Sequence, residues 1–308
     1  MKKIYTFFFI VFGIVSLFVG CTPQQPILSQ PWIYGITMDD SWEVSADPKA
    51  LTDAIRAMPV KPTVRIVMAQ DVEPSAYKEL FQAIHEVAYI MACPVDSYEM
   101  KAYKNEEEYL ERFRQAYTHL APYTDIWEIG NEINGVEWIG QSDERIVQKV
   151  EQANAYIRKN GGVTALTFYY PGPEENVDLF TWIQRYMPQR LMNNIDYAFL
   201  SYYEDDHEGY MPAWESVFMK LEALFPKAKI GFGECGNSDN QADDRTKIKK
   251  IDYYYGMEMP SDSYVGGCFW WYWLQDCIPH QDSRIYEQIN QRMEDIHRSR
   301  APENGQNS

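Results

Sequence analysis

Short apolar runs alternate with longer segments of helical period along most of this chain. The apolar runs are rich in β-branched and aromatic residues, as buried strands are. They predict eight strands, at residues 32–37, 63–68, 88–93, 126–130, 163–168, 197–202, 229–233 and 264–273. The segments between them carry apolar side chains three or four positions apart, as at Leu110, Phe113, Tyr117 and Leu120, which predicts helices between the strands.

A strand followed by a helix, repeated along the chain, predicts an α/β fold with a parallel sheet. Eight such units account for residues 32–300 without a linker-like break, and one (β/α)8 unit usually takes about 250 residues. We therefore expect a single (β/α)8 TIM barrel rather than an open, doubly wound sheet. In such a barrel the functional site lies at the carboxyl ends of the strands.

The first twenty residues have the pattern of an export signal. Lys2 and Lys3 precede an apolar run at 4–19, and its length of about sixteen residues is short of the roughly 20 that a membrane-spanning helix needs. The sequence L17-F-V-G-C21 is similar to a bacterial lipobox, and the residues that follow it suit a tether. An ordinary cleaved signal and an uncleaved anchor are the alternatives.

These features predict four regions: a signal peptide at 1–20, a tether at 21–31, a catalytic barrel at 32–300 and a disordered tail at 301–308. Cys21 would carry the lipid, so the protein would be held at a membrane without crossing it. The expected location is the bacterial cell envelope, on the surface or the periplasmic side of the outer membrane.

Composition narrows the range of partners. The chain has 28 Lys and Arg against 45 Asp and Glu, and a surface with a net charge of −17 repels nucleic acid. Aromatic residues make up 15% of the chain, and those outside the core can stack on the flat faces of neutral sugars. The five cysteines form no C-x-x-C pair and the histidines are scattered, so we expect no metal and no cofactor. Buried thiols are the simpler interpretation of Cys93, Cys235, Cys268 and Cys277.

Two glutamates occupy corresponding positions at predicted strand ends. Glu132 follows the fourth strand, next to Asn131, and Glu234 follows the seventh. A single glutamate at such a place is more often a salt-bridge partner or a loop cap. Two carboxyls that face one pocket can cleave a glycosidic bond, because one protonates the leaving oxygen while the other attacks or activates water.

Motifs at four strand ends resemble those of the clan A glycoside hydrolases. They are W127-E-I-G-N-E132, S201-Y-Y203, G231-F-G-E234 and G267-C-F-W-W271. Within the clan, G130-N-E-I-N-G135 followed by Trp138 is most similar to the arabinogalactan endo-β-1,4-galactanases, which the rest of the chain does not follow closely. The resemblance implies a retaining enzyme on a (β/α)8 barrel.

The resemblance also implies roles for individual residues. Glu132 would be the general acid/base and Glu234 the nucleophile. Asn131 would bond the hydroxyl beside the anomeric carbon. Tyr203 would donate to Glu234 and orient it, and Trp271 would form the floor of the subsite for the cleaved sugar.

Further residues are candidates for the same site. Arg65 interrupts the apolar second strand and resembles the clan's arginine near the nucleophile, although a pair with a structural carboxylate explains it equally well. Asp96 stands where many clan members have histidine. Strand alternation predicts that Trp270 and Tyr272 face the helices, and the acidic segment 204–207 is more simply a solvated loop than a ligand site. The remaining predicted sugar contacts are Trp138, Tyr202 and Trp273.

The sequence thus predicts a retaining β-glycosidase. Short βα loops favour an endo-acting glycanase on a neutral oligo- or polysaccharide such as β-galactan, β-glucan or β-mannan. The hypothesis requires carboxyl groups about 5–5.5 Å apart. Two alternatives share the same residues: a carbohydrate-binding lipoprotein without turnover, and a transglycosylase that hands the sugar to an acceptor other than water.

Overall fold

The computed structural model describes residues 26–41, 47–173 and 178–301, in which eight parallel strands close into a barrel. The strands pair in chain order and the first pairs with the eighth. They are β1 Ile33–Met38, β2 Thr63–Val67, β3 Tyr89–Cys93, β4 Ile126–Glu128, β5 Thr164–Tyr169, β6 Tyr197–Tyr202, β7 Lys229–Cys235 and β8 Tyr264–Trp270. All eight predicted strands are present, which confirms the (β/α)8 barrel.

Helices surround this sheet. In the described ranges they are α1 Pro48–Arg56, α2 Lys78–His85, α3 Glu106–Leu120, α4 Val136–Ile139, α5 Asp143–Lys159, α6 Leu179–Tyr186, α7 Gln189–Met192, α8 Trp214–Leu224, α9 Asp244–Tyr255, α10 Trp273–Cys277 and α11 Arg284–Arg300. Most of the longer helices begin at a side chain that accepts a bond from a backbone N–H of the first turn. These caps are Asp47, Asn105, Ser142, Asp178, Asp243 and Ser283.

An apolar cluster fills the amino-terminal half of the barrel interior. The rings of Tyr197, Phe199 and Phe269 pack in series, with centroids 5.4 and 6.0 Å apart. Ile27, in a 3-10 turn at Ile27–Ser29, is buried against the same cluster. Ile27, which falls within the tether predicted at 21–31, therefore packs with the barrel core.

A polar layer lies above this cluster. Ile126 and Ala165 belong to the apolar cluster, and Glu128 and Thr167 lie two residues further along the same strands. Side chains two residues apart on a strand share a face, so these two also point into the barrel. Arg65 donates from its Nε atom to Glu128, and all three polar side chains are fully buried. The barrel is thus apolar at its base and charged beneath its mouth.

The last strand ends at Trp270, three residues before its predicted end at 273. Gly266 and Gly267 have φ angles of +74° and +85°, and the pairing register with β7 shifts beside them. A Cβ atom on Gly267 would lie 2.1 Å from the carbonyl oxygen of Phe232. Glycine is therefore required at this bulge, both for its backbone angle and for the close approach of the two strands.

The predicted signal peptide, the lipidation site Cys21 and residues 302–308 of the predicted tail lie outside the described residues. The predictions made for them remain predictions. In the part of the chain that the structure describes, no helix combines the length and the apolar character that crossing a bilayer requires.

Candidate active site

Glu132 and Glu234 line one cavity at the carboxyl ends of the strands, with a volume of about 300 Å³. Each is largely buried, with 8% and 5% of the residue exposed. The rest of the lining is polar and aromatic: Asp96, Ser97, Tyr98, Asn131, Trp138, Tyr169, Tyr203, Asp206, Ser238, Trp271 and Tyr272. The fold therefore joins two glutamates that are far apart in the chain at one cavity.

Glu132 is held by two serines. Its Oε1 accepts from the hydroxyl of Ser201 at 2.6 Å and its Oε2 accepts from the hydroxyl of Ser97 at 3.2 Å. Burial raises the pKa of Glu132 to about 7; the nearby charge of Asp96 adds to this rise and the bond from Ser201 opposes it. The backbone of Glu132 has φ +44°, a left-handed angle that is unusual away from glycine and is concentrated at functional sites.

Glu234 has a different set of partners. Its Oε1 accepts from the hydroxyl of Tyr203 at 2.8 Å, and its Oε2 accepts from Nη1 of Arg65 at 2.9 Å and from Nδ2 of Asn131 at 3.4 Å. Burial raises the pKa of Glu234 well above the usual glutamate value, and the charge of Glu132 adds to the rise. The Arg65 guanidinium and the Tyr203 bond act in the opposite direction.

These contacts favour opposite charge states for the two carboxyls. Glu234 accepts from a guanidinium, a phenol and an amide, and each of these donors stabilises a carboxylate. Glu132 is bonded only to hydroxyls among the described residues, and a hydroxyl can also accept a bond from a protonated carboxyl. Two neighbouring buried carboxyls cannot easily both ionise, so the pair holds one proton, and this geometry assigns it to Glu132.

Asn131 links Asp96 to the pair. Its Nδ2 donates to Asp96 Oδ1 at 2.9 Å as well as to Glu234, whereas its buried Oδ1 has no hydrogen-bond partner. Because two carboxylates flank the nitrogen, the amide orientation follows from the network. The free group of Asn131 at the cavity is therefore an acceptor, which suits a hydroxyl donor on a bound molecule.

Aromatic rings line the cavity, among them those of Trp271 and Trp138. The guanidinium of Arg65 lies 5.3 Å from the ring centroid of Trp271. Trp138, on α4, stacks on Tyr98 with centroids 6.1 Å apart. A Cβ atom on Gly135 would lie 1.9 Å from the Trp138 ring, so the ring depends on glycine at that position. Trp271 and Trp138, which the sequence predicted as sugar contacts, thus line the cavity.

Two predicted sugar contacts are wrong. Tyr202 is fully buried on the helix side of the sheet, where its hydroxyl donates to the carbonyl of Tyr210. Alternation along β6 is the reason, since it turns Ser201 and Tyr203 into the cavity and Tyr202 away from it. Trp273 is the first residue of α10 and is fully buried, because the strand that was predicted to carry it ends at Trp270.

Two further sequence predictions also need correction. Tyr272 was expected to face the helices, but it follows the end of β8 and lines the cavity. The acidic segment 204–207 is not simply a solvated loop. Asp205 accepts from Lys250, which is 7% exposed, and Asp206 lines the cavity.

Sequence reasoning assigned no role to the serines that hold Glu132. Ser201 begins the S201-Y-Y203 motif. It lies two residues before Tyr203, so strand alternation would have placed both side chains on the cavity face. Ser97 carried no such signal, because it lies in a 3-10 segment, Ser97–Ala102, after β3. Its position beside Glu132 depends on how the barrel closes.

Comparison with known proteins identifies only the fold. No protein-family model matches the chain, and no curated protein matches it. Solved structures do match, among them Gas2 of Saccharomyces cerevisiae in complex with laminaritriose and laminaritetraose, with a TM-score of 0.53 and 14% identity over 85% of this chain and 64% of that chain. A complex of Gas2 with a small compound gives a TM-score of 0.51 and 15% identity over the same shares.

A third match is a mutant of Gas2 in complex with laminaritetraose and laminaripentaose, with a TM-score of 0.53 and 16% identity. It covers 85% of this chain and 63% of that chain, so this chain spans less than two thirds of the length of these Gas2 chains. At such low identity these matches show a shared barrel. They do not show a shared activity.

Proposed function

We propose that this protein is a retaining glycoside hydrolase of the clan A type, with Glu132 as general acid/base and Glu234 as nucleophile. One observation carries the proposal. The two glutamates face one cavity, and only Glu234 is bonded to a cation, a phenol and an amide that stabilise a carboxylate. A retaining glycosidase needs this division between one protonated and one ionised carboxyl.

The first half-reaction forms a glycosyl ester. The Glu234 carboxylate attacks the anomeric carbon while the bond from that carbon to the leaving oxygen breaks, and Glu132 gives its proton to that oxygen. Esterification removes the negative charge of Glu234. The pKa of Glu132 then falls, because a charge that opposed its ionisation is gone.

The second half-reaction returns the enzyme to its initial state. Glu132, now ionised, takes a proton from water as the water oxygen attacks the anomeric carbon, and the bond to Glu234 breaks. Glu234 leaves as a carboxylate that Arg65 and Tyr203 stabilise. Two displacements at one carbon give a product of unchanged anomeric configuration.

A neutral glycan is the substrate class that suits the cavity. Asp96 and Asp206 line it, whereas its neighbouring cation, Arg65, already bonds two carboxylates. Sugars that carry a carboxylate would therefore be repelled. The motif around Glu132 makes β-1,4-galactan one candidate, and the laminari-oligosaccharides bound in the Gas2 structures make β-glucan another.

A second cavity supports action within a chain rather than at its end. It has a volume of about 420 Å³ and shares Trp138 and Tyr169 with the first. Tyr186 and Arg185, on α6, also line it. Further sugar units of a long substrate would lie there.

The envelope location remains part of the proposal. If Cys21 is lipidated, mass spectrometry of the mature protein from a bacterial membrane fraction will give a diacylglyceryl-modified amino-terminal cysteine. Replacement of Cys21 by Ala should then release the protein from membranes without changing hydrolysis.

The decisive experiment is hydrolysis of defined galacto-, laminari-, cello- and manno-oligosaccharides, with the anomeric form of the first product read by proton NMR. We expect β products, internal cleavage of long chains, and loss of activity by orders of magnitude in Glu132→Gln and Glu234→Gln. An α-anomer as first product would contradict the double displacement.

The same screen separates the alternatives. Binding of an oligosaccharide, measured by calorimetry, without turnover by the wild type would identify a carbohydrate-binding protein. Products longer than the substrate would identify a transglycosylase that uses the same two glutamates.

A further inference from the structure

Glu128 is the first acid of the W127-E-I-G-N-E132 motif, and the chemistry above does not use it. Its side chain lies inside the barrel and is fully buried. Below it on the same strand is Ile126, so an aliphatic residue would suit the position if packing alone mattered. A buried carboxylate is costly unless it is paired and hydrogen-bonded, which raises the question of what this one does.

The contacts of Glu128 lead to the proposed nucleophile. Its Oε2 accepts from Nε of Arg65 at 2.7 Å, and its Oε1 accepts from the hydroxyl of Thr167. The same guanidinium donates from Nη1 to Oε2 of Glu234 at 2.9 Å. One arginine therefore joins a carboxylate sealed inside the barrel to a carboxylate at the cavity.

This arrangement divides the charge of Arg65. With Glu128 absent, the whole guanidinium charge would act on Glu234, since the Sγ atom of Cys93, at 3.8 Å, is the only hydrogen-bond partner of Nη2 among the described residues. A carboxylate that is held too strongly is a weaker base and a weaker nucleophile. A guanidinium held at one edge only would also lose the fixed plane that aims Nη1 at Glu234.

We propose that Glu128 is a positioning residue of the active site, which fixes the plane of the Arg65 guanidinium and takes part of its charge, so that Glu234 is ionised and still nucleophilic. This rests on the proposed function, because Glu128 acts through the nucleophile. Thr167 holds the second oxygen of Glu128, so the carboxylate cannot turn away from Arg65.

Other ionisable groups face Glu234 as well, and the test must separate Glu128 from them. Within the described residues they lie on β2 and β7, after β3, β4, β6 and β8, and in the 3-10 segment Ser97–Ala102. They are Arg65, Cys235, Asp96, Glu132, Tyr203, Tyr272 and Tyr98. A substitution of Glu128 by Gln removes its charge and leaves all of these in the chain.

The test measures the titration of Glu234 directly. Protein labelled with carbon-13 at the glutamate carboxyl is titrated by NMR, and the Glu234 signal is identified by its loss in Glu234→Gln. In Glu128→Gln we expect the midpoint of Glu234 to fall by about 1 pH unit, because Arg65 is no longer shared. In Glu128→Asp, which keeps the charge, we expect a midpoint within a few tenths of a unit of the wild type.

The control is Asp196→Asn, which removes an acid paired with Arg158 at the opposite end of the barrel and should leave the Glu234 midpoint unchanged. A midpoint in folded Glu128→Gln that is unmoved or higher would overturn the proposal. If that variant does not fold, a Glu234 midpoint in Glu128→Asp that differs from the wild type by about 1 pH unit overturns it, since the charge at position 128 is then not what sets the midpoint. The titration needs no substrate. A wild type without hydrolytic activity would therefore refute the proposed function, and the midpoint of Glu234 could still be measured and compared between variants.

Discussion

At the scale of single residues, the proposed chemistry depends on which donors reach each carboxyl. Glu234 accepts from Arg65 and Tyr203, whereas Glu132 accepts from serines and lies near the charge of Asp96. The residue types at 132 and 234 are the same, so only their surroundings can separate an acid from a nucleophile. Changes to those surroundings should therefore alter the pH dependence of activity before they alter the fold.

The first prediction concerns the alkaline limb of the pH profile. Hydrolysis requires a proton on Glu132, so kcat/KM should fall as the pH rises through the pKa of Glu132, about 7. The charge of Asp96 contributes to that raised pKa. In Asp96→Asn the alkaline limb should therefore move to lower pH, while Asp295→Asn, a change on the outer helix α11, should not move it.

The second prediction compares two adjacent tyrosines. Tyr203→Phe removes a hydrogen bond to a charged carboxylate, worth about 1.5–3 kcal/mol, and should lower kcat/KM about 10- to 100-fold. The acid limb should move to higher pH, because the bond that favours ionised Glu234 is lost. Tyr202→Phe loses an equivalent hydroxyl outside the cavity, so full activity is expected. Equal losses in the two variants would count against the role of Tyr203.

At the scale of elements, the strand ends carry the site and their irregularities shape it. β4 ends at Glu128, and Glu132 follows in a left-handed conformation. β8 contains a bulge at Gly266 and Gly267 before Trp271 reaches the cavity. Alternation holds only within a strand, and β8 ends at Trp270, which is why alternation misassigned Tyr272.

The third prediction tests the bulge. Gly267→Ala combines a left-handed backbone angle with a Cβ atom 2.1 Å from a carbonyl oxygen of β7. Gly140→Ala has the same kind of angle, φ +65°, but no atom within 4 Å of the added Cβ. We expect Gly140→Ala to lower the free energy of unfolding by about 1–2 kcal/mol, and Gly267→Ala by about 1–3 kcal/mol more. Urea denaturation of both variants measures the difference, and equal losses would contradict the steric explanation.

At the scale of the whole molecule, the barrel separates stability from function along its axis. Aromatic and aliphatic side chains close the amino-terminal end, and charged side chains occupy the interior below the mouth. Ile27 completes the closed end from outside the eight strands. Changes at that end should alter stability and leave the pH dependence of activity unchanged.

The fourth prediction uses two neighbours in the 3-10 turn. Ile27→Ala removes a side chain that is 4% exposed and should lower the free energy of unfolding by about 2–5 kcal/mol. Leu28→Ala changes a side chain that is 49% exposed, so little effect is expected. The pH profile should be the same in both variants. If Ile27→Ala is as stable as the wild type, residues before β1 are a tether after all.

Much of this protein was predictable from local pattern. Apolar periodicity predicts the eight strands and the helices between them. Motifs at strand ends predict the positions of Glu132, Glu234 and Asn131, and Arg65 interrupts the apolar second strand. These signals depend on residues that are neighbours in the chain. The errors at Tyr272 and Trp273 arose because β8 ends at Trp270, whereas alternation along β6 would have excluded Tyr202. Backbone pairing between distant strands sets where a strand ends.

The amino-acid pattern alone is enough to specify the barrel, since eight buried strands separated by amphipathic helices have few other ways to cover their apolar faces. It takes the folded chain to place Arg65 between Glu128 and Glu234, and to bring Ser97 and Ser201 together at Glu132. These partners come from different strands. Their contacts depend on the register and closure of the whole sheet, which no local stretch of sequence contains.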